Sequence, residues 1–177
     1  MLINKLIHFI EDHSESIAQM WVKEILSSEF MSGYRQFSEE ELNIRSYEVY
    51  NNLGKWLERD ITSNDTKVTY EALGQKRYKE KIPLYEVLLA LHYTKKTLWN
   101  YIQSSGMIAD EAFAIHQAMM LSERIYSFYD FAAFYISRGY QKAIWGKLVK
   151  DQKVTNDQIS EYFPGASADV EMGPEFY

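Results

Sequence analysis

Few side chains in this sequence could do more than pack. His8 has Glu11 and Asp12 three and four places on. That spacing puts an imidazole and two carboxylates on one helical face, the pattern of a weak cation site and, more commonly, of a solvated surface. His13 has no partner by spacing. His92 stands beside an apolar run between Leu89 and Trp99, and His116 stands near Phe113 and Met120. Inward histidines on two helices are what a helical haem protein uses as axial ligands, whereas a single histidine on an apolar face is more often structural. Tyr85, Leu89, His92, Trp99, His116 and Met120 are therefore the candidate lining of a ligand pocket, since methionine adapts its shape and aromatics dominate pocket walls. Core packing explains each of them at least as well. The run Glu39–Glu41 reads as helix capping, not acid–base chemistry.

The missing patterns narrow the field. There is no GxGxxG, no Walker-type loop, no GxSxG elbow and no HExxH, so no motif supports an enzyme. With no cysteine, thiolate nucleophiles, thiolate metal sites and disulfides are excluded.

The elements that would hold these residues are helical throughout. Ile3, Leu6, Ile7 and Ile10 form a first stripe. After 12-DHSES-16, with Ser14 as the expected cap, Ile17, Met20, Trp21 and Ile25 form a second. Ser38 and Glu41 have the spacing of a capping box, with three acids in the first turn suiting the helix dipole. Behind them Leu42, Ser46, Val49, Tyr50, Leu53, Trp56 and Leu57 share a face. Thr62–Asp65 is a polar turn, and a fourth helix spans about Val68–Glu80, weakened by Gly74. Its basic end, Lys76, Arg77, Lys79 and Lys81, reads as a solvated C-terminus. Ile82-Pro83 is a corner, with Pro83 expected at the first helical position. In the next helix Leu84, Leu88, Leu91, Leu98 and Ile102 mark one face, and Tyr85, Leu89, His92 and Trp99 an adjacent one.

The last helix is long, from about Ile108 towards Lys150, with the stripe Ala114, Ala118, Leu121, Ile125, Phe128, Ala132 and Ile136. So much aromatic girth needs cover on more than one side, and a second copy of the chain could supply part of it. Ile125, Phe128, Tyr129, Ala132, Tyr135 and Ile136 are the candidates for a dimer or signal-carrying surface. Gly139 is expected to kink or end this helix. The fold class that follows is all-α, a globin-like or helical-bundle domain of about six helices.

The chain's 177 residues suit one domain with a real core. Its net charge of −6 is uneven: residues 151–177 hold six acids and one base, while residues 1–150 are close to neutral. No basic stripe marks a nucleic-acid surface. No run reaches the roughly 18 apolar residues of a membrane span, and the N-terminus lacks the marks of a signal peptide, so a cytoplasmic protein is expected. Residues 1–150 are read as a helical domain and 151–177 as an irregular acidic tail or linker.

Two blocks, 82-IPLYEVLLALHYTKKTLWNYI-102 and 124-RIYSFYDFAAFYISRGYQKA-143, resemble the N-terminal domain of RsbR/RsbRD-type co-antagonist proteins. The shared features are the Ile-Pro-Leu start, Leu88 and Leu91, Lys96-Thr97-Leu98-Trp99, Phe128-Tyr129-Asp130 and Arg138-Gly139-Tyr140. The resemblance covers roughly residues 1–145 and rests on a hydrophobic signature. It implies a helical, globin-like or bundle-like bacterial input domain, often dimeric, without a haem requirement and placed ahead of an output module. Only about 30 residues follow the second block here, too few for such a module. No ligand residue transfers from it.

Together these readings lead to a non-catalytic signalling input domain, with no cofactor expected, that senses a ligand or partner and relays it through the long helix of a homodimer to a signalling partner. Two alternatives stand beside it: a haem or hydrophobic-ligand carrier using His92 or His116, and a purely structural interaction module.

Overall fold

The computed structural model describes residues 2–58, 64–106 and 112–151, together with 155, 157, 158 and 161. Among the described residues the chain is all-helical, with no strand: α1 (Leu2–Asp12), α2 (Ser14–Ser27), a 3-10 turn (Gly33–Gln36), α3 (Glu39–Glu58), α4 (Asn64–Lys79), α5 (Leu84–Ser104) and α6 (Ala112–Lys150). No helix among them is long and apolar enough to cross a membrane. The expected turn at Thr62–Asp65 lies partly outside the described residues, and so does most of the expected tail.

Local chemistry accounts for most boundaries. The Ser38 N–H donates to Glu41 Oε2 at 2.8 Å and the Glu41 N–H donates to Ser38 Oγ at 3.2 Å, so the capping box closes in both directions. Ser14 does not cap α2: its hydroxyl donates back to the Glu11 carbonyl, and His13 is the N-cap. Pro83 sits one place earlier than expected, at the N-cap of α5 with ψ 142°, and Leu84 is the first helical residue.

The corner before it is a left-handed stop. Lys81 takes φ +60°, its N–H donating to the Tyr78 carbonyl at 3.0 Å. The Ile82 N–H reaches the Arg77 carbonyl at 3.1 Å. These two bonds satisfy carbonyls that the end of α4 would otherwise leave open.

Packing divides the helices into two groups. α1 and α2 lie on α3, and α2 also lies on α5. α4 lies along α6 in the most extensive helix pair of the fold. At their crossing Gly74 meets the backbone of Ile136 and Tyr140, and Gly139 meets the backbone of Glu71. A Cβ at either position would strike the opposite helix, so these glycines set the close approach. Gly139 does not end α6, which runs on to Lys150.

The buried stripe of α6 follows the expected register through Leu121, Ile125, Phe128, Ala132 and Ile136. Ile125, Phe128, Tyr129, Ala132, Tyr135 and Ile136, assigned from sequence to a contact between copies, sit on the long helix but face the chain's own interior, all 2% exposed or less. Met20, expected inside, is exposed. The inward face of α5 also differs from expectation. Glu86, Val87, Ala90, Thr94 and Thr97 are buried, while Leu84, Leu89 and Leu91 are only partly covered. The fully buried Glu86 carboxylate accepts the Ser32 hydroxyl at 3.0 Å and the Gly33 N–H at 2.7 Å. It anchors the 3-10 turn, and those bonds replace the water it lost.

Candidate functional site

Where the two helix groups meet, the bundle holds a small half-open cavity of about 60 Å³. Trp21 from α2, Arg45, Ser46 and Val49 from α3, and Val87, Ala90, Leu91 and Thr94 from α5 form one side. Tyr70, Leu73 and Arg77 from α4 and Ile136 from α6 form the other, with Tyr34 of the 3-10 turn between them.

The small, partly polar inward face of α5 makes this space. Ala90 and Thr94 leave room where Leu would fill it. Both are tied down: the Trp21 Nε1–H donates to the Ala90 carbonyl at 3.1 Å, and the Thr94 hydroxyl donates to the same carbonyl at 2.9 Å. The Ser46 hydroxyl donates to the Asn43 carbonyl at 3.1 Å. Water in so small a space would need two or more polar partners, which these oxygens offer.

Two guanidinium groups line the cavity and share one carboxylate. Arg45 makes two parallel bonds to Glu80, at 3.0 and 3.2 Å, and Arg77 makes a third at 2.7 Å. Burial alone would raise the Glu80 carboxyl, but the bonds from Arg45 and Arg77 outweigh it and hold the group below its ordinary value. Arg45 also stacks over Phe37, 4.0 Å from its centroid. The triad joins α3 to the end of α4 and leaves one positive charge beyond what Glu80 neutralises. Arg77, read from sequence as part of a solvated basic end, is buried. Lys76, Lys79 and Lys81 are exposed as expected.

A cluster of buried phenols adjoins the cavity. The Tyr50 hydroxyl donates to the Thr94 carbonyl at 3.1 Å. The Tyr129 hydroxyl is buried with no hydrogen-bond partner among the described residues. Burial raises the phenols of Tyr50, Tyr70 and Tyr129 well above the ordinary range, and for Tyr129 the proximity of Tyr50 and Tyr70 adds to the effect.

None of the five pocket candidates whose side chains are described lines this cavity. Tyr85 and Met120 are exposed, at 65% and 59%. His92 is exposed, its ring 6.1 Å from that of Tyr93. Leu89 and Trp99 are partly buried, Trp99 beside Tyr126 at 6.3 Å. His116 lies on α6, but its side chain is outside the described residues. His8 approaches Glu11 at 3.7 Å on an exposed face. Among the described residues no group of three or more His, Asp or Glu is placed to hold a metal.

Sequence reading put Ser46 on the apolar face of α3 without a site role, took Arg77 as solvated, and passed over Tyr70 and Thr94, because polar residues within helices are usually placed outward. The usable signal was the run Val87, Ala90, Thr94, Thr97 on α5, whose three- and four-residue spacing marks a face of small side chains. Compared with protein-family models, curated proteins and solved structures, the chain matches none.

Proposed function

We infer that the chain is a non-catalytic input module of a bacterial signalling system, in which occupancy of this half-open cavity biases the position of α6. One observation carries this reading: the cavity is walled by both helix groups, and one group includes the helix that runs furthest from it. α4 and α6 meet backbone to backbone at Gly74 and Gly139, a contact that favours their shifting as a pair. A guest that prefers the expanded cavity would shift this pair against α2, α3 and α5 and displace the Lys150 end of α6. A guest can shift the equilibrium only by its difference in affinity for the two packings. The polar lining and small volume favour water or a ligand of a few heavy atoms with a hydrogen-bonding group.

The resemblance of 82–102 and 124–143 to RsbR-type input domains supports the signalling role and its association into dimers. Because the inner stripe of α6 is occupied, two copies would meet through its outer face. Met119, Met120, Tyr126 and Phe134 are exposed there.

Native mass spectrometry of the freshly purified chain, set against its denatured mass, tests both parts. A small added mass that disappears in the cavity-filling variant Val49→Phe supports the sensor. No added mass, together with α6 spectra that are identical in wild type and Val49→Phe, overturns it. A monomer at micromolar concentration removes the dimer.

A further inference from the structure

The half-open cavity carries more positive charge than its walls neutralise. Arg45 and Arg77 bring two guanidinium groups to the single carboxylate of Glu80. Glu86, the buried carboxylate on α5, forms no ion pair with either arginine among the described residues. Its oxygens are taken by the Ser32 hydroxyl and the Gly33 N–H. The surroundings hold little water: Arg77 is 9% exposed, and Trp21, Leu73 and Ile136 share the lining. A charge held in such walls attracts an ion of opposite sign more strongly than the same charge on an open surface.

Two donors line the cavity with bonds to spare. A guanidinium carries several N–H groups, and Arg77 gives one of them to Glu80, at 2.7 Å. The Tyr34 hydroxyl, on a residue 3% exposed, has no acceptor among the described residues. Burial raises this phenol, and the Arg77 guanidinium beside it works against the rise. Ser46 and Thr94 already give their protons to the Asn43 and Ala90 carbonyls, so recognition falls to Arg77 and Tyr34. Both are held in place. The 3-10 turn that carries Tyr34 is anchored by Glu86, and the phenol ring lies edge-on to Trp21 at 6.2 Å and to Phe37 at 6.4 Å. Donors fixed in advance lose little freedom when a ligand arrives.

We propose that this cavity binds a small monovalent oxyanion of the size of formate or nitrate, with Arg77 supplying charge and N–H bonds and Tyr34 an O–H bond. The proposal rests on the reading of this cavity as the input site and names the class of its guest. Size and charge both set the choice. A space of about 60 Å³ holds a guest of roughly three or four heavy atoms. One negative charge balances what Glu80 leaves over, whereas a neutral guest would leave the surplus in place and a dianion would reverse it. The half-open wall gives such an ion a way in.

Titration of sodium formate into the full chain, followed by amide NMR at neutral pH in chloride-free buffer, tests the proposal. Ionic strength is held constant with sodium gluconate, whose anion is too large for the cavity. The signals of Tyr34, Arg77 and Thr94 should shift and saturate. Val49→Phe should abolish these shifts. Tyr34→Phe should weaken binding about ten- to a hundredfold, the loss of one hydrogen bond to a charged group. Glu80→Gln should tighten it, because it adds to the positive surplus. No saturable shift at these amides in the wild type, or an affinity that none of the three variants changes, overturns the proposal. The signalling reading fails separately. Saturable binding with unmoved signals at Lys147 and Lys150 supports the anion site and removes its link to α6. Signals of α6 that differ between wild type and Val49→Phe, without any formate binding, overturn the anion site alone.

Discussion

Gly74 and Gly139 face each other's helix at the point where α4 and α6 come closest, each lying where a methyl group would strike the opposing backbone. The ion pairs beside the crossing depend on this approach. Glu71, one turn before Gly74, takes Lys142 at 2.7 Å on Oε2. Its Oε1 meets the Arg138 guanidinium at 3.2 Å as an ion pair without an aligned hydrogen bond. Nearby, the Tyr140 hydroxyl donates to the Ile82 carbonyl at 2.8 Å, tying α6 to the corner that ends α4.

Alanine at either glycine should therefore destabilise the chain despite alanine's better helix propensity. The two helices would have to separate, costing about 2–4 kcal/mol for Gly74→Ala or Gly139→Ala. Gly146 is the control: it lies in the same helix with nothing near its added methyl, and Gly146→Ala should stabilise by about 0.5–1 kcal/mol. Urea unfolding of the three variants checks the contrast.

Lys81 holds a left-handed conformation that a side chain disfavours. Lys81→Gly should raise stability by about 0.5–1 kcal/mol, the relief of strain exceeding the extra freedom glycine has when unfolded. A loss of stability would show that the lysine side chain makes up for the strain. Thermal unfolding at matched pH reads the difference.

The acid limb of the stability curve should report Glu80. Its folded value lies below the ordinary 4.5, so as pH falls the unfolded chain takes up the proton first. The contribution is complete above the ordinary value and is lost as pH drops through the folded one. Glu41, held low by the bonds from the Ser38 backbone and hydroxyl, acts in the same direction. Glu80→Gln should cost about 1–2 kcal/mol at neutral pH and flatten the fall below it, as measured by urea midpoints across the acid range.

The buried phenols give the opposite limb. Tyr50, Tyr70 and Tyr129 keep their protons above the ordinary value of 10.0, so their contribution is present below that value and is lost as pH rises beyond it. Ultraviolet titration should show them ionising only on unfolding. Tyr129→Phe should be neutral or stabilising by up to about 1 kcal/mol, because it removes a hydroxyl with no partner among the described residues. Tyr50→Phe should cost about 1 kcal/mol, because its bond to the Thr94 carbonyl is lost.

The amino-acid sequence by itself determined what depends on near neighbours in the chain. The capping box at Ser38 and Glu41, the corner at Ile82-Pro83 and the inward register of α6 from Leu121 to Ile136 are set within a few residues, by hydrogen-bond spacing, proline geometry and apolar periodicity. Only the tertiary structure decided what depends on a distant partner. Gly74 reads as a weak spot and Gly139 as an end until each is seen against the other's helix, since a missing side chain carries no periodic signal. Arg77 reads as surface, and Glu86 and Thr94 give no signal, until Glu80, Gly33 and Ala90 supply the bonds that make burial tolerable. The same limit hid the cavity, which is defined by the small residues of α5 and by helices brought to it from five other places in the chain.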